Sequence, residues 1–185
     1  MPNPIPFRIP AQRVPFIEEG TDNLVSREWY RYLNRKPRFG SFYDTTIQTA
    51  AAISTAYAVT FNTTVTSFAI NRGTPSSRIY VPDTSVYDVQ FSLQVDKTSG
   101  GAGLIYVWSR IDGVDVPDSA SRARIKDNND ETVLAWNFML DMQGGSYFEL
   151  MWAVDSTSIQ LLAEPATAFC PAIPSAILTV SEVSI

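Results

Sequence analysis

Between residues 86 and 96 apolar and polar side chains alternate without a break. Tyr87, Val89, Phe91, Leu93 and Val95 fall on one side; Asp88, Gln90, Ser92, Gln94 and Asp96 fall on the other. A period of two over eleven residues is the mark of a strand with one face in a core and one in water. No helix satisfies it. The same grammar continues through the rest of the chain. Residues 104–111 read as the next strand, and Asp112-Gly113 behind it is the strongest hairpin signal present. Further strands read at 41–48, 57–61, 77–81, 120–126, 132–140, 147–154, 158–163 and 176–183. Turn residues separate them, as at Ser99-Gly100-Gly101, Asp127-Asn128-Asn129-Asp130 and Gln143-Gly144-Gly145. About ten short strands spaced by turns predict an all-β sandwich or barrel over residues 41–185.

Two of these strands are apolar on both faces. In 132–140, Leu134, Trp136, Phe138 and Leu140 oppose Val133, Ala135 and Met139. In 147–154, Phe148, Leu150, Trp152 and Val154 oppose Tyr147, Met151 and Ala153. A lone antiparallel sandwich keeps one wet face per sheet, so a second apolar face asks for a second cover. A symmetric oligomer supplies one, with Trp136, Phe138, Tyr147 and Met151 as the candidate interface. Otherwise residues 1–40 cover that face, or its apolar side chains are exposed singly.

Residues 1–40 have a different character. Prolines at 2, 4, 6, 10 and 15 impose extended geometry and remove backbone donors. Between and after them stand Ile5, Phe7, Ile9, Val14, Phe16 and Ile17, which a free linker would not carry. They read as anchors on a partner protein, as residues folded back on the chain's own β-domain, or as part of a simply mobile segment. Residues 26–35 predict a short helix: Ser26 caps it, Glu28 favours the positive end of its dipole, and Pro37 stops it. Trp29 and Leu33 share a face, and Arg27, Arg31 and Arg35 form a basic stripe. So short a helix needs support from outside itself. It reads as a plug over one end of the β-domain, through Trp29, or as an oligomerisation or docking helix.

Charge follows the same division. Residues 1–40 carry seven Lys and Arg against four acids, and residues 41–185 carry seven against fifteen. The acidic β-domain is a poor surface for nucleic acid. Histidine is absent and Cys170 is the single cysteine, which removes the usual general base, the commonest metal ligand and any intrachain disulfide. No run approaches a membrane helix, and Met1-Pro2-Asn3-Pro4 does not read as the start of a signal peptide. Asp112, Asp115 and Asp118 recur around a hairpin but offer few of the oxygens calcium needs. No carboxylate pair carries a glycosidase motif. The expectation is no enzyme activity, no cofactor and no metal. Tyr43, Tyr57 and Trp108 are aromatics that would suit sugar stacking if exposed.

The stretch Ser77-Arg78-Ile79-Tyr80-Val81-Pro82, followed by Ser85-Val86-Tyr87-Asp88-Val89-Gln90-Phe91-Ser92, resembles the core of the tumour-necrosis-factor and complement globular-head domains. So does Gly144-Gly145-Ser146-Tyr147-Phe148-Glu149-Leu150, with Ala176-Ile177-Leu178-Thr179-Val180 in the place of the last strand. The resemblance implies a ten-strand jelly-roll sandwich that forms trimers around aromatic residues. In the arm, Phe16-Ile17, Gly20 and the run Leu24-Val25-Ser26-Arg27-Glu28-Trp29-Tyr30-Arg31-Tyr32-Leu33 resemble the N-terminal segment of tailed-bacteriophage virion proteins. Together the two resemblances imply a homotrimeric head-fibre, decoration or short-fibre subunit, located in the virion and held to capsid or tail proteins through residues 1–40. The alternative expectation is a tail-fibre module that recognises host surface polysaccharide.

Overall fold

The computed structural model describes residues 14–17, 24–34 and 36–183. One helix, α1 (Arg27–Leu33), precedes fourteen strands in this part of the chain. In chain order these are β1 (Phe39–Asp44), β2 (Gln48–Thr49), β3 (Tyr57–Ala58), β4 (Thr63–Phe68), β5 (Asn71–Arg72), β6 (Ile79–Tyr80) and β7 (Ser85–Lys97). They continue as β8 (Gly103–Ile111), β9 (Val114–Asp115), β10 (Ser121–Ile125), β11 (Glu131–Met142), β12 (Tyr147–Val154), β13 (Ile159–Leu161) and β14 (Ala176–Val183).

The strands form two antiparallel sheets. In the first, β7 is the spine: β14 pairs along its first half, β13 along its end, and β11 along its other edge. Beyond β14 come β1 and then β4. In the second sheet the order is β10, β8, β12, β6, β5, with β3 also on β12 and β9 on β8. From β6 onward the chain crosses repeatedly between the sheets, and β1 pairs with β14 at the far end of the chain. This is the jelly-roll sandwich.

The alternation of β7 decides its orientation. Tyr87, Val89, Phe91, Leu93 and Val95 are buried, facing Ile105 and Val107 of β8 and Phe148, Leu150, Trp152 and Val154 of β12. Each fully buried side chain of this size contributes about 1.5–3 kcal/mol of transfer free energy. The hairpin at Asp112-Gly113 has both residues at positive φ, 50° and 82°, as a two-residue turn between right-twisted strands requires.

Three local expectations change. The run at 41–48 breaks after Asp44, whose buried carboxylate accepts from Thr46 N at 2.8 Å and Thr60 Oγ1 at 3.0 Å. Pairing at 57–61 stops at Ala58, although Val59 and Phe61 still reach the core. The strand β4 has no counterpart among the strands expected from the sequence. Its TTVTSF run is exposed at nearly every position, so no burial alternation marks it; β-branched content is its only signal.

The arm joins the sandwich at Arg38. Its carbonyl accepts from Glu182 N at 2.8 Å, and its guanidinium meets Asp83 at 3.0 Å. Among the described residues, Arg38 thus ties to the sandwich by both an ion pair and a backbone bond two residues before Gly40, where the composition changes.

Candidate functional site

The arm builds a small aromatic unit of its own. Ser26 N donates to Phe16 O at 2.8 Å, and Ile17 bridges Val25, so residues 14–17 lie beside the start of α1. Trp29 Nε1 donates to Val14 O at 3.1 Å. The Trp29 ring sits 5.7 Å from Phe16 and 5.9 Å from Tyr32, both edge-on, a geometry that aromatic quadrupoles favour. Ser26 occupies the N-cap position but makes no side-chain cap bond, and α1 is shorter than expected, at seven residues. Glu28 does lie in its first turn.

Of the expected anchors, Ile5, Phe7 and Ile9 lie outside the described residues. Val14 and Trp29 are half-buried within the aromatic unit. Phe16 is 49% exposed and Leu33 58%, and Ile17, Leu24 and Tyr30 are exposed with them. Trp29, through which the helix would plug the sandwich, packs its ring against Phe16 and Tyr32.

The four candidate interface residues occupy three different settings. Trp136 and Phe138 lie on the inward face of β11, at the open edge of the core. Phe91 joins them, 4.5 Å from Trp136 and 5.8 Å from Phe138. Trp136 Nε1 is buried and has no acceptor among the described residues. Tyr147 lies on the outer face of the second sheet, beneath the Arg78 guanidinium at 4.3 Å and beside Tyr80 at 5.5 Å. Met151, on the same face, is 2% exposed: its own chain encloses it, pairing its strand with Ala58 on one side and Trp108 on the other. Met151 is therefore already covered within the subunit.

The apolar outer face of β11 is real. Val133 is 53% exposed and Met139 58%, with Ala135 exposed between them. Among the described residues β11 pairs only with β7, so its outer edge presents unpaired backbone groups. The register continues this face across the sheet, from Ala135 through Ser92 and Ile177 to Tyr43. Ile177 is exposed as well.

The acidic hairpin has other work. Asp112 Oδ1 accepts from Tyr147 N at 2.9 Å, closing the turn. Asp115 accepts from Arg110 Nε at 2.7 Å and Trp108 Nε1 at 2.8 Å. Those two donors, Arg110 first, hold its carboxyl below the usual carboxylate range. Asp118 stands at a positive φ of 58° in the following turn. Asp130 caps Lys126 N at 2.7 Å. Among the described residues no three potential metal ligands converge, and no helix is long and apolar enough to cross a membrane.

This fold defines a class: an antiparallel two-sheet jelly-roll sandwich. The crystal structure of murine APRIL at pH 8.0 has a TM-score of 0.50 to this chain at 10% identity, covering 80% of this chain and 100% of that one. Murine APRIL at pH 5.0 scores 0.49 at 9% identity over the same shares. At 10% identity the first likeness shows the fold alone. No family model and no curated protein matches the sequence.

Proposed function

We propose that this chain is a structural subunit: a homotrimeric jelly-roll knob fixed to a larger particle by its N-terminal arm, without catalysis. The particle we favour is a tailed-bacteriophage virion, assembled in the host cytoplasm. There the chain would serve as a head-fibre, decoration or short-fibre subunit, its arm seated on capsid or tail proteins. The observation that carries this reading is the uncovered aromatic unit of the arm. Phe16 and Leu33 flank Trp29 and remain exposed while the sandwich closes its core without them. Contiguous exposed apolar surface of this kind marks an interaction site.

The trimer is supported separately by β11. A long edge strand with free backbone groups and exposed Val133 and Met139 is a liability for a monomer. A neighbouring subunit covers this edge and its apolar outer face. Three arms on one knob then convert a weak contact into a durable one by effective concentration.

The test is co-assembly. Removing residues 1–35 is expected to leave a soluble trimer that no longer incorporates into particles. Continued incorporation overturns the anchor, and a stable monomer in a solution mass measurement overturns the trimer.

A further inference from the structure

We infer that the outer face of the second sheet carries a binding groove for an acidic saccharide, built from one chain and independent of its oligomeric state. The groove has a volume of about 450 Å³, inside the range of about 300–1,000 Å³ usual for small-ligand sites. Tyr106 and Trp108 form its floor, two residues apart on β8 and therefore on one face. Ala56, Ala120 and Ala153 border them. Short side chains at these three positions leave the aromatic faces open. Both rings are half-buried, supported from below and accessible from above.

The platform is preorganised. Trp108 Nε1 is tied to Asp115 at 2.8 Å, and Arg110 holds the same carboxylate at 2.7 Å. The indole plane is thus fixed before any ligand arrives. The Tyr106 hydroxyl has no partner among the described residues and is free to bond a ligand hydroxyl. An aromatic face set in this way suits the apolar face of a sugar ring better than a flexible aliphatic chain.

Charge then selects the kind of sugar. The β-domain has seven cations. Four are committed: Arg72 to Phe61 O, Arg78 beside Glu149, Lys97 to Ser158 Oγ, and Arg110 to Asp115. Arg122, Arg124 and Lys126 have no ion pair among the described residues, and all are exposed. They lie on β10 or just beyond it. The register sets Arg122 opposite Tyr106 and Arg124 opposite Leu104, on the groove's own face. Two free guanidiniums beside an aromatic floor fit a carboxylate carried on a stacked ring. On the other side of β8, Asp155 accepts from Leu104 N at 2.7 Å through Oδ1. Its second oxygen suits a sugar hydroxyl and repels an acid, so the ligand's carboxylate points toward β10. A nucleic acid would also stack here. Its phosphate at every unit would run along a domain with seven cations against fifteen acids, which disfavours it.

The test uses the full-length protein and three acidic tetrasaccharides, built on galacturonate, on glucuronate and on sialate. Each is compared with its carboxyl-reduced counterpart by calorimetry and by tryptophan fluorescence. At least one acidic tetramer is expected to bind with a Kd below about 1 mM, and about tenfold more tightly than its reduced form. The R122Q/R124Q variant, changed only at exposed positions, should erase that preference and keep its far-ultraviolet spectrum. Y106A and W108A should lose binding of both forms. The proposal is overturned if none of the three acidic tetramers binds, or if acidic and reduced forms bind equally. It is also overturned if R122Q/R124Q retains the preference, or if a thymidine tetranucleotide binds more tightly than every saccharide.

Discussion

Tyr87 is fully buried in the sandwich, where its hydroxyl donates to Asp83 O at 2.8 Å. Burial pushes the phenol up to about 12 from an ordinary value of 10.0, and the nearby Glu182 carboxylate adds to the shift. The folded state therefore holds the proton more tightly than the unfolded chain. The stability this contributes is complete below pH 10 and is lost as the pH rises from 10 toward 12. Thermal melts across that window should fall more steeply for the native protein than for Tyr87→Phe; parallel curves would show that burial does not hold the proton. At neutral pH the same variant loses one hydrogen bond, about 1 kcal/mol. Ser109 presents the opposite case. It lies on the inward face of β8, fully buried, and its hydroxyl has no partner among the described residues. Ser109→Ala should raise stability by up to about 1 kcal/mol, read as an increase in denaturation midpoint. A loss of stability would mean the hydroxyl is satisfied.

At the scale of elements, turns and edges carry the specificity. The turn between β11 and β12 passes close to another piece of backbone. A Cβ at Gly144 would lie 2.9 Å from Pro82 O and 3.2 Å from Thr84 N, whereas one at Gly101 would meet nothing within 4 Å. Gly144→Ala should cost about 1–3 kcal/mol, while Gly101→Ala stays near neutral; equal costs in chemical denaturation would refute the close approach. The edge strand β11 makes a second prediction. Lysine at both Val133 and Met139 should leave the melting of the fold nearly unchanged, because both side chains are exposed in the subunit. It should weaken the proposed trimer by at least about tenfold, measured as mass against concentration. An unchanged assembly would move the interface elsewhere. Both faces of β11 were legible in its sequence, because successive side chains alternate across a sheet. Its place at an edge was not, since edge position depends on which other strands remain to pair.

At the scale of the whole molecule, the core formed by the described residues closes without help from the described part of the arm. Every residue of the buried cluster lies between Phe42 and Val180. Deletion of residues 1–35 should therefore change the stability of the sandwich by no more than about 0.5 kcal/mol in denaturant titrations. A larger loss would mean that the arm packs on the sandwich and favour the plug reading of Trp29. By itself, the sequence determined the period-two strands, the Asp112-Gly113 turn, the short helix and the division of charge near Gly40. Each of these is local: the pleat, the turn dihedrals and the helical repeat act over a few residues. Only the tertiary structure decided that Phe39 pairs with Ser181, that Met151 is enclosed, and that Arg122 stands opposite Tyr106 beside Trp108. These neighbours are non-local. A strand's alternation states which face it buries, but its partners are chosen by the cost of closing long loops and by the packing of both sheets at once. That is why Trp108 stood out in the sequence only as one aromatic among several, while its pairing with Tyr106 over a groove came from the sheet.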